Sequence, residues 1–278
     1  MPTKVKYRYT SLEDFLISNP LTVDGQLDDG GGFEFPVKGR EIHASILFAD
    51  ISSFSKRTLE LSPTETLIFV NNFFTWITAE ALRGRPGIVD KYIGDEMMVI
   101  FSEEFGSEDS FVDALQTARW MAENDALSFC PHMGIAAGIV TVGYVGTPLK
   151  YSCSVFGVPI VVAKRCASIK PQSPGHSSIF FPADLWMDRS FEKIFPLKKL
   201  KKSDGRVVEQ PQTWKLLPSR KVSMKNMPDI EILEVTRETI FIPQESAEER
   251  AKQALRALQE AGMYRPQVAK AKENVENL

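Results

Sequence analysis

The sequence predicts an α+β fold, in which helices flank one principal sheet. Stretches typical of strands and of helices are interspersed along most of the chain. The first strong strand, HASILFADI at 43–51, is apolar nearly throughout, which indicates a central place in the sheet. Two further strands, near 87–92 and 96–101, are so close in sequence that they must form a hairpin with Gly94 at its tip.

The first long helix begins at the sequence SPTE, residues 62–65. Serine is a favoured N-cap, proline is favoured at the first helical position, and a glutamate three residues after the serine completes a capping box. Apolar residues then recur at helical spacing. One face of this helix consists of Leu67, Val70, Phe74, Ile77 and Ala81. Three aromatic residues, Phe69, Phe73 and Trp76, widen the apolar stripe beyond that face, so we expect a well-buried helix.

Strands and helices continue to alternate further along the chain. Gly157-Val158-Pro159 opens another helix, with proline in its first turn, that extends to about Ile169. The other predicted elements are a helix near 108–126, strands within 133–146, 151–156, 176–182 and 212–217, and a short helix at 182–186.

We expect three segments along the chain. Residues 1–39 form an N-terminal segment of short elements broken by turn formers, and residues 40–218 form the main domain. Residues 219–278 form a C-terminal extension that ends in a helical hairpin, because Gly262 ends one amphipathic helix and Pro266 starts another. We interpret this extension as a packing or regulatory element.

Composition and charge narrow the class of protein. The chain has 278 residues and a formal net charge of -3, with KKLKK at 198–202 as a local basic exception, so a general nucleic-acid binder is disfavoured. Three cysteines at no metal-type spacing indicate reduced thiols. No signal peptide and no membrane-spanning apolar window is found in the sequence. We therefore expect a cytoplasmic protein that binds neither nucleic acid nor membrane.

The chemistry of the sequence centres on Asp50 and Asp95. Asp50 ends the first central strand within FADISSFS, and Asp95 lies at the hairpin tip within KYIGDE. If strand and hairpin are neighbours, the two carboxylates meet at one edge of the sheet and repel each other unless a cation lies between them. A paired carboxylate site beside a phosphate-binding turn suits nucleoside triphosphate chemistry with two metal ions. The backbone amides free to bind phosphate would be those of Ser52, Ser53, Phe54 and Ser55.

Three stretches of the sequence resemble the motifs of class III nucleotidyl cyclases, the family of adenylate and guanylate cyclase catalytic domains. They are FADISSFS, GIVDKYIGDEMMVIF and YSCSVFGVPIVVAKR, which occur in the order of the family and at similar separations. The resemblance covers roughly residues 40–217. It implies a ferredoxin-like cyclase homology domain with a central mixed sheet. The implied reaction converts a nucleoside triphosphate into a 3',5'-cyclic nucleotide and pyrophosphate.

The resemblance also implies how metal and subunits are used. Asp50, Asp95 and the carbonyl oxygen of Ile51 match the groups that bind two Mg²⁺ or Mn²⁺ ions in the family. Family members work as head-to-tail dimers with their sites at the interface. A homodimer is therefore implied, in which the metal carboxylates come from one subunit and the base-recognising pair comes from the other.

The substrate-reading end of the site departs from the family pattern. Lys91 matches the lysine of the base-recognising pair, and Arg165 matches the transition-state arginine. Ser154 stands where adenylate cyclases usually have Asp or Thr and guanylate cyclases typically have Cys. Val161 stands where the family has an asparagine that orients the ribose. This pattern resembles the pyrimidine cyclases of bacterial antiphage (Pycsar) systems, which make cyclic UMP or cyclic CMP for a separate effector protein.

Three alternatives stay open. An adenylate or guanylate cyclase keeps the mechanism and changes the base. A degenerate homologue that binds nucleotide without turnover is favoured by Val161 and opposed by the retained carboxylates and arginine. A diguanylate cyclase is suggested by IGDE, which resembles the GGDEF turn of that family, but Ile93 and Met97 depart from it.

Overall fold

The architecture is taken from a computed structural model. Its strands, in chain order, are β1 (Val23–Asp28), β2 (Glu34–Asp50), β3 (Gly87–Ile93), β4 (Glu96–Phe101), β5 (His132–Thr147), β6 (Lys150–Phe156), β7 (Ser178–Pro182), β8 (Lys199–Lys201), β9 (Val207–Glu209), β10 (Trp214–Leu216), β11 (Arg220–Val222) and β12 (Ile230–Arg237). The α-helices are α1 (Leu12–Ser18), α2 (Phe54–Thr58), α3 (Pro63–Ala81), α4 (Ser110–Glu123), α5 (Val158–Ala167), α6 (Phe191–Ile194) and α7 (Ala247–Glu260), and short 3-10 helices span Glu103–Phe105 and Ala183–Trp186. The structure describes residues 7–28, 30–32, 34–81, 83–125, 129–147, 150–172, 177–197, 199–201, 206–224, 227–238 and 245–262.

Most of the strands form one mixed sheet. Its main path runs in the order β10-β12-β7-β5-β2-β4-β3, with β1 on β2, β6 on β5 and β11 on β12. The pairing of β5 with β7 is parallel, whereas β2 is antiparallel to both of its main neighbours, β5 and β4. β8 and β9 form a separate two-stranded sheet. The predicted α+β class, with a central mixed sheet and flanking helices, is confirmed, and the β3–β4 hairpin lies beside β2 as expected.

The side chains of β2 alternate between two hydrophobic cores, because successive residues of a strand point to opposite faces. Leu47 and Ala49 belong to the core that includes residues of α3, α4 and α7. Ile46 and Phe48 belong to the core that includes residues of α1 and α5. Asp50 continues the second alternation, so its side chain follows the face that α5 covers.

A close backbone contact sets α5 against the sheet. A Cβ atom at Gly134 of β5 would lie 2.1 Å from the carbonyl oxygen of Ala163 and 2.2 Å from the amide nitrogen of Ala167. Glycine at this position is therefore what allows α5 to approach the strand. Gly134 is paired with Phe48 across β2, two residues before Asp50. The contact thus brings α5 close to the end of β2.

The buried face of α3 agrees with the predicted apolar stripe except at its first residue. Leu67 is 63% exposed, whereas Phe69, Phe73 and Ile77 are fully buried. Phe69 and Phe73 each pack against the ring of Phe129, with ring centres 5.3 and 5.2 Å apart. The prediction was wrong for Leu67, because large aromatic side chains gain more from burial than leucine does and decide which part of the stripe turns inward.

The sheet extends across both segment boundaries that the sequence suggested. β2 begins at Glu34, before residue 40, because its first part pairs with β1 in a hairpin. β12, which lies within residues 219–278, is inserted between β7 and β10. The C-terminal extension therefore contributes a sheet strand as well as α7. The second helix of the predicted C-terminal hairpin falls on 263–278, which lies outside the described residues.

Among the helices of the described ranges, none has the length and apolar character needed to cross a bilayer.

Candidate active site

The structure brings Asp50 and Asp95 together at one edge of the sheet. Asp50 is the last residue of β2 and is paired in register with Glu96, the first residue of β4. Asp95 directly precedes Glu96, in a turn that Gly94 enters with a φ of 63°, a value that favours glycine. The Asp95 carboxyl group is near enough to Asp50 to raise the pKa of that residue.

The environment of Asp50 disfavours an uncompensated negative charge. Burial, followed by the neighbouring Asp95 carboxyl group and the charge of Glu96, raises the pKa of Asp50 to about 8, while Lys164 opposes the shift. The Oδ1 atom of Asp50 is buried and has no hydrogen-bond partner among the described residues. An unpaired buried carboxylate oxygen is costly, and a hard divalent cation prefers oxygen ligands. The residues present therefore fit a divalent metal ion.

The described residues include no group of three or more His, Cys, Asp or Glu side chains arranged to hold a metal ion. Asp50 and Asp95 are thus two side-chain ligands at most. Mg²⁺ typically takes one or two protein carboxylates and completes its coordination with water and substrate phosphates. The donor set suits a metal that arrives with a phosphorylated substrate better than a closed structural site.

A turn of small polar residues follows Asp50. Ile51 is buried, Ser52 and Phe54 are half-buried, and Ser53 and Ser55 are exposed. Ser53 adopts the left-handed conformation, with φ 56° and ψ 35°, and precedes α2 without a side-chain capping bond. A left-handed residue beside a helical turn makes successive backbone amides converge, which is the geometry of an anion-binding nest.

Arg57 connects this turn to the protein interior. Its side chain is almost fully buried, with 1% of its surface exposed. The Nε atom donates a hydrogen bond to the Ser52 carbonyl oxygen at 2.7 Å, and Nη2 donates to the Phe129 carbonyl oxygen at 3.2 Å. The sequence analysis did not identify Arg57, because nothing in the local pattern distinguishes it from a solvated lysine or arginine of α2.

Lys91 and Ser154 lie side by side, and both contact a third residue, Asp90. Lys91 Nζ donates a hydrogen bond to Ser154 Oγ. Asp90 Oδ2 lies 3.1 Å from Lys91 Nζ and 3.2 Å from Ser154 Oγ. Burial raises the pKa of the Asp90 carboxyl group, and the bonds from Lys91 and Ser154 oppose that shift. The two residues that the sequence assigned to base recognition are therefore brought together, with a buried carboxylate behind them.

A lysine of α5 contributes positive charge beside the paired carboxylates. Lys164 Nζ lies 2.6 Å from Glu96 Oε2 and 5.8 Å from the centre of the Phe48 ring. Neither Lys164 nor Glu96 was assigned a role from the sequence. Both are adjacent to assigned residues, Arg165 and Asp95, so their position within the motifs was the available signal.

Arg165 is not brought to the carboxylates of its own chain. It is exposed on α5, and within the described residues it forms no ion pair with Asp50 or Asp95. Val161, one turn earlier, is 47% exposed, and Val158 is 66% exposed. The outer face of α5 therefore presents one arginine and two valines to the surroundings.

The fold resembles that of class III cyclase domains of known structure. The adenylyl cyclase CyaB from P. aeruginosa superposes with a TM-score of 0.53 and 18% identity, over 73% of this chain and 97% of that one. A bacterial light-regulated adenylyl cyclase gives 0.53 and 21% identity over 78% and 58% of the two chains. The guanylyl cyclase Cya2 gives 0.51 and 19% identity over 75% and 98%. At these identities the likeness establishes the fold.

Sequence comparison adds relatives whose function their names leave open. "Uncharacterized protein Rv1320c" of Mycobacterium tuberculosis is 31% identical over 140 residues, which is 49% of this chain and 24% of the relative. "Uncharacterized protein Rv1318c" of the same organism is 29% identical over 140 residues, or 49% and 26%. The chain thus spans about a quarter of the length of the curated relatives it matches. No family model matches the sequence.

Proposed function

We propose that this chain is a nucleotidyl cyclase, which converts a nucleoside triphosphate into a 3',5'-cyclic nucleotide and pyrophosphate. The observation that supports the proposal most is the pair formed by Asp50 and Asp95. A buried Asp50 oxygen without a donor faces the same site as a second carboxyl group. That arrangement occurs at the sheet edge of a fold that adenylyl and guanylyl cyclases share.

The residues of this site have distinct proposed roles in that reaction. Asp50, Asp95 and the Ile51 carbonyl oxygen would hold two Mg²⁺ or Mn²⁺ ions, which supply charge neutralisation for the phosphates and activation of the ribose 3'-hydroxyl group. The backbone amides of residues 52–55 would bind phosphate oxygens. Arg165 would donate hydrogen bonds to the phosphate oxygens as negative charge builds up in the transition state.

The proposed active unit is a head-to-tail homodimer. Arg165 is exposed and forms no ion pair with Asp50 or Asp95 among the described residues, so a second subunit is the simplest source of the arginine for each site. Exposed apolar side chains near the site offer an interface, since soluble monomers rarely expose contiguous apolar patches. They belong to the β3–β4 hairpin, the end of β6 and the start of α5, and include Tyr92, Ile93, Phe156, Val158 and Val161.

We further propose a pyrimidine nucleotide as substrate, UTP or CTP, in a cytoplasmic antiphage signalling role with a separate effector for the product. This finer assignment rests on Ser154 and Val161, which depart from the residues of purine cyclases at the base-reading and ribose-orienting positions. An adenylate or guanylate cyclase is the alternative that the structurally similar proteins favour. A homologue that binds nucleotide without turnover is favoured by Val161, which has no hydrogen-bonding group for the ribose.

Removal of either carboxylate tests the metal assignment. Asp50→Ala and Asp95→Ala are each expected to lower cyclic nucleotide formation by about 100-fold or more, because metal-dependent charge stabilisation is lost. Size-exclusion chromatography and circular dichroism establish that each variant remains a folded dimer. Asp184→Ala, which removes an exposed aspartate of the 3-10 helix, is the control. Wild-type turnover by either site variant would remove the two-metal assignment.

Replacement of Arg165 separates catalysis from binding. Arg165→Ala is expected to lower kcat far more than it raises the Kd of the triphosphate, because the arginine acts in the transition state. Single-turnover kinetics and calorimetric titration with each triphosphate measure the two effects. Equal losses in kcat and affinity would make Arg165 a binding residue.

A further inference from the structure

We propose that Asp90 is a positioning residue that fixes which hydrogen-bonding groups Lys91 and Ser154 present to the nucleotide base. The inference deepens the proposed function and rests on it for the identity of the ligand. It concerns a residue that neither the motif resemblance nor the paired carboxylates assign. The structure supports it through the place of Asp90 in β3, its burial and its two contacts.

A β-bulge gives Asp90 its position. The pairing register of β3 with β4 shifts between Val89 and Lys91, so Asp90 is the extra residue. In a regular strand, adjacent side chains point to opposite faces of the sheet. Because of the bulge, the side chains of Asp90 and Lys91 both reach Ser154 on β6. Bulges often re-aim side chains in this way beside functional sites.

The Asp90 side chain is buried, whereas one of its two partners is accessible to a ligand. The Asp90 side chain is 3% exposed, whereas the Lys91 side chain is 39% exposed. Ser154 as a whole is 3% exposed. Asp90 therefore lies behind the pair and is shielded from solvent, while Lys91 remains accessible to a ligand. A ligand would meet Lys91 and the outer edge of Ser154, and Asp90 would act through them.

The number of protons that Lys91 and Ser154 can donate determines which hydrogen-bonding groups remain available to a ligand. An ionised carboxylate only accepts hydrogen bonds, so the Ser154 hydroxyl group donates its single proton to Asp90 Oδ2. Lys91 Nζ donates one proton to Asp90 Oδ2 and one to Ser154 Oγ, and its third proton stays available. Towards a ligand, Lys91 is thus a donor, and Ser154 keeps one lone pair as an acceptor.

The pair therefore presents its donor and its acceptor to a base in a fixed spatial order, which is called its polarity below. A site with one donor beside one acceptor favours a base edge whose acceptor and N–H group stand in the matching order. From the exocyclic group at C4 or C6 to the ring nitrogen beside it, uracil and guanine offer an acceptor and then an N–H group, whereas cytosine and adenine offer an N–H group and then an acceptor. Without Asp90, the Ser154 hydroxyl group can rotate and donate, so one of the two mismatches of a base with the reverse order is relieved, while Lys91 remains a donor. Asp90 therefore contributes to selectivity between bases.

The test compares Asp90→Asn, Ser154→Ala and the double variant. The readout is the ratio of kcat/KM between the preferred triphosphate and the best one of opposite polarity, among ATP, GTP, CTP and UTP. Asp90→Asn is nearly isosteric and brings an NH₂ group that releases the hydroxyl proton, so the ratio is expected to fall by about tenfold. In the Ser154→Ala background, the same change is expected to have no further effect on the ratio, because Asp90 acts through the hydroxyl group. Asp113→Asn, at a half-buried aspartate of α4, is the matched control.

Each outcome decides the inference. An unchanged ratio in a folded Asp90→Asn dimer, or additive effects in the double variant, would overturn it. If Asp90→Asn fails to fold, Asp90→Ala replaces it: this change also frees the hydroxyl proton of Ser154, and an unchanged ratio in a folded Asp90→Ala dimer overturns the inference. If the wild-type protein forms no cyclic product, the proposed function fails. The inference is then tested by comparing the Kd values of the four triphosphates between the wild type and the same variants. Equal binding of all four by the wild-type protein, or no binding of any, overturns the inference.

Discussion

The carboxylates at the sheet edge explain why this site is suited to bind a cation. Asp50 is held near Asp95 and Glu96 by the strand register, and its unpartnered oxygen is buried. The geometry that positions these carboxylates therefore opposes ionisation of Asp50 until positive charge is supplied. Lys164 supplies part of that charge, but its ammonium group is bound to Glu96. The site is thus preorganised for a metal ion at the expense of stability in the absence of metal.

Asp50→Asn tests this balance without reference to activity. Without metal, folding forces the wild-type Asp50 either to take up a proton or to keep a buried charge. The neutral amide of Asp50→Asn avoids both costs, so the metal-free variant is expected to be more stable than the wild type by on the order of 2 kcal/mol. Thermal unfolding in a chelator measures the gain. Addition of Mn²⁺ is expected to raise the Tm of the wild-type protein and to leave that of the variant unchanged. An Mn²⁺-dependent rise of equal size in both proteins would contradict the metal assignment.

The residues of the site differ in how far the sequence reveals them. Asp50 and Asp95 could be predicted to converge, because one follows a central strand and the other lies in a tight hairpin turn. Asp90 was missed because a bulge depends on the pairing of two strands, and no local pattern marks it. Lys164 was missed because its neighbour Arg165 matched the motif, and only the packing of α5 on the sheet shows which of the two side chains faces the carboxylates.

At the scale of elements, α4 is anchored by a charged N-cap. Asp109 Oδ1 accepts hydrogen bonds from the amides of Phe111 and Val112, and Arg189 Nη1 lies 2.5 Å from Asp109 Oδ2. Burial by itself would raise the pKa of Asp109, but the bond from Arg189 and the two amides of α4 lower it below its usual range. The ionised form is therefore the one that the folded state favours.

This cap gives a stability prediction with a defined pH dependence. Asp109→Ala is expected to cost about 1 kcal/mol at neutral pH, because the capping bonds are lost. A lowered pKa in the folded state means that the contribution is present above the ordinary aspartate pKa of 3.8 and disappears as the pH falls through the lower pKa of the folded state. Chemical denaturation at pH 7 and near pH 3 measures both. A difference between the two proteins that stays constant over this range would contradict the assignment.

The C-terminal helix α7 packs beside the turn that follows Asp50. Ala251, Ala254 and Leu255 belong to the same core as Leu47 and Ala49. Lys252 Nζ forms an ion pair with Glu60, just beyond α2. The extension therefore supports the segment that carries the proposed phosphate-binding amides. Its amphipathic pattern was visible in the sequence, but the surface it covers depends on long-range packing and could not be predicted.

Leu255→Ala is expected to destabilise the protein by about 2–4 kcal/mol, because a buried leucine is replaced by a cavity. Gln253→Ala, on the exposed face of the same helix, is the control and is expected to be neutral. Urea denaturation measures both. A neutral Leu255→Ala variant would mean that α7 does not contribute to the core.

At the scale of the whole molecule, the fold was predictable because its main signals are local. The apolar strand β2 and the β3–β4 hairpin follow from strand periodicity and turn residues, and the capping box placed the start of α3. The sequence did not indicate that β12 is inserted between β7 and β10, because that pairing joins segments far apart in the chain. The full length of β2 could not be predicted either, because its first part is defined by its pairing with β1 in a hairpin.

The dimer proposal predicts complementation between two inactive variants. In a head-to-tail dimer, a subunit with Asp50→Asn and a subunit with Arg165→Ala together form one intact site. Equal amounts mixed under exchanging conditions are therefore expected to recover about a quarter of wild-type activity, since half of the dimers are mixed and each has one working site. Two copies of the same variant provide the control. No recovery, despite exchange shown by mass spectrometry of labelled subunits, would contradict sites shared between subunits.

The most direct test of the central claim is product formation from each nucleoside triphosphate. Purified protein is incubated separately with ATP, GTP, CTP and UTP, in Mn²⁺ and in Mg²⁺, and the products are identified by mass spectrometry. The account predicts a 3',5'-cyclic nucleotide and pyrophosphate, with cyclic UMP or cyclic CMP as the main product. Cyclic AMP or cyclic GMP would keep the cyclase and contradict the pyrimidine assignment. No cyclic product from any of the four would contradict the cyclase itself.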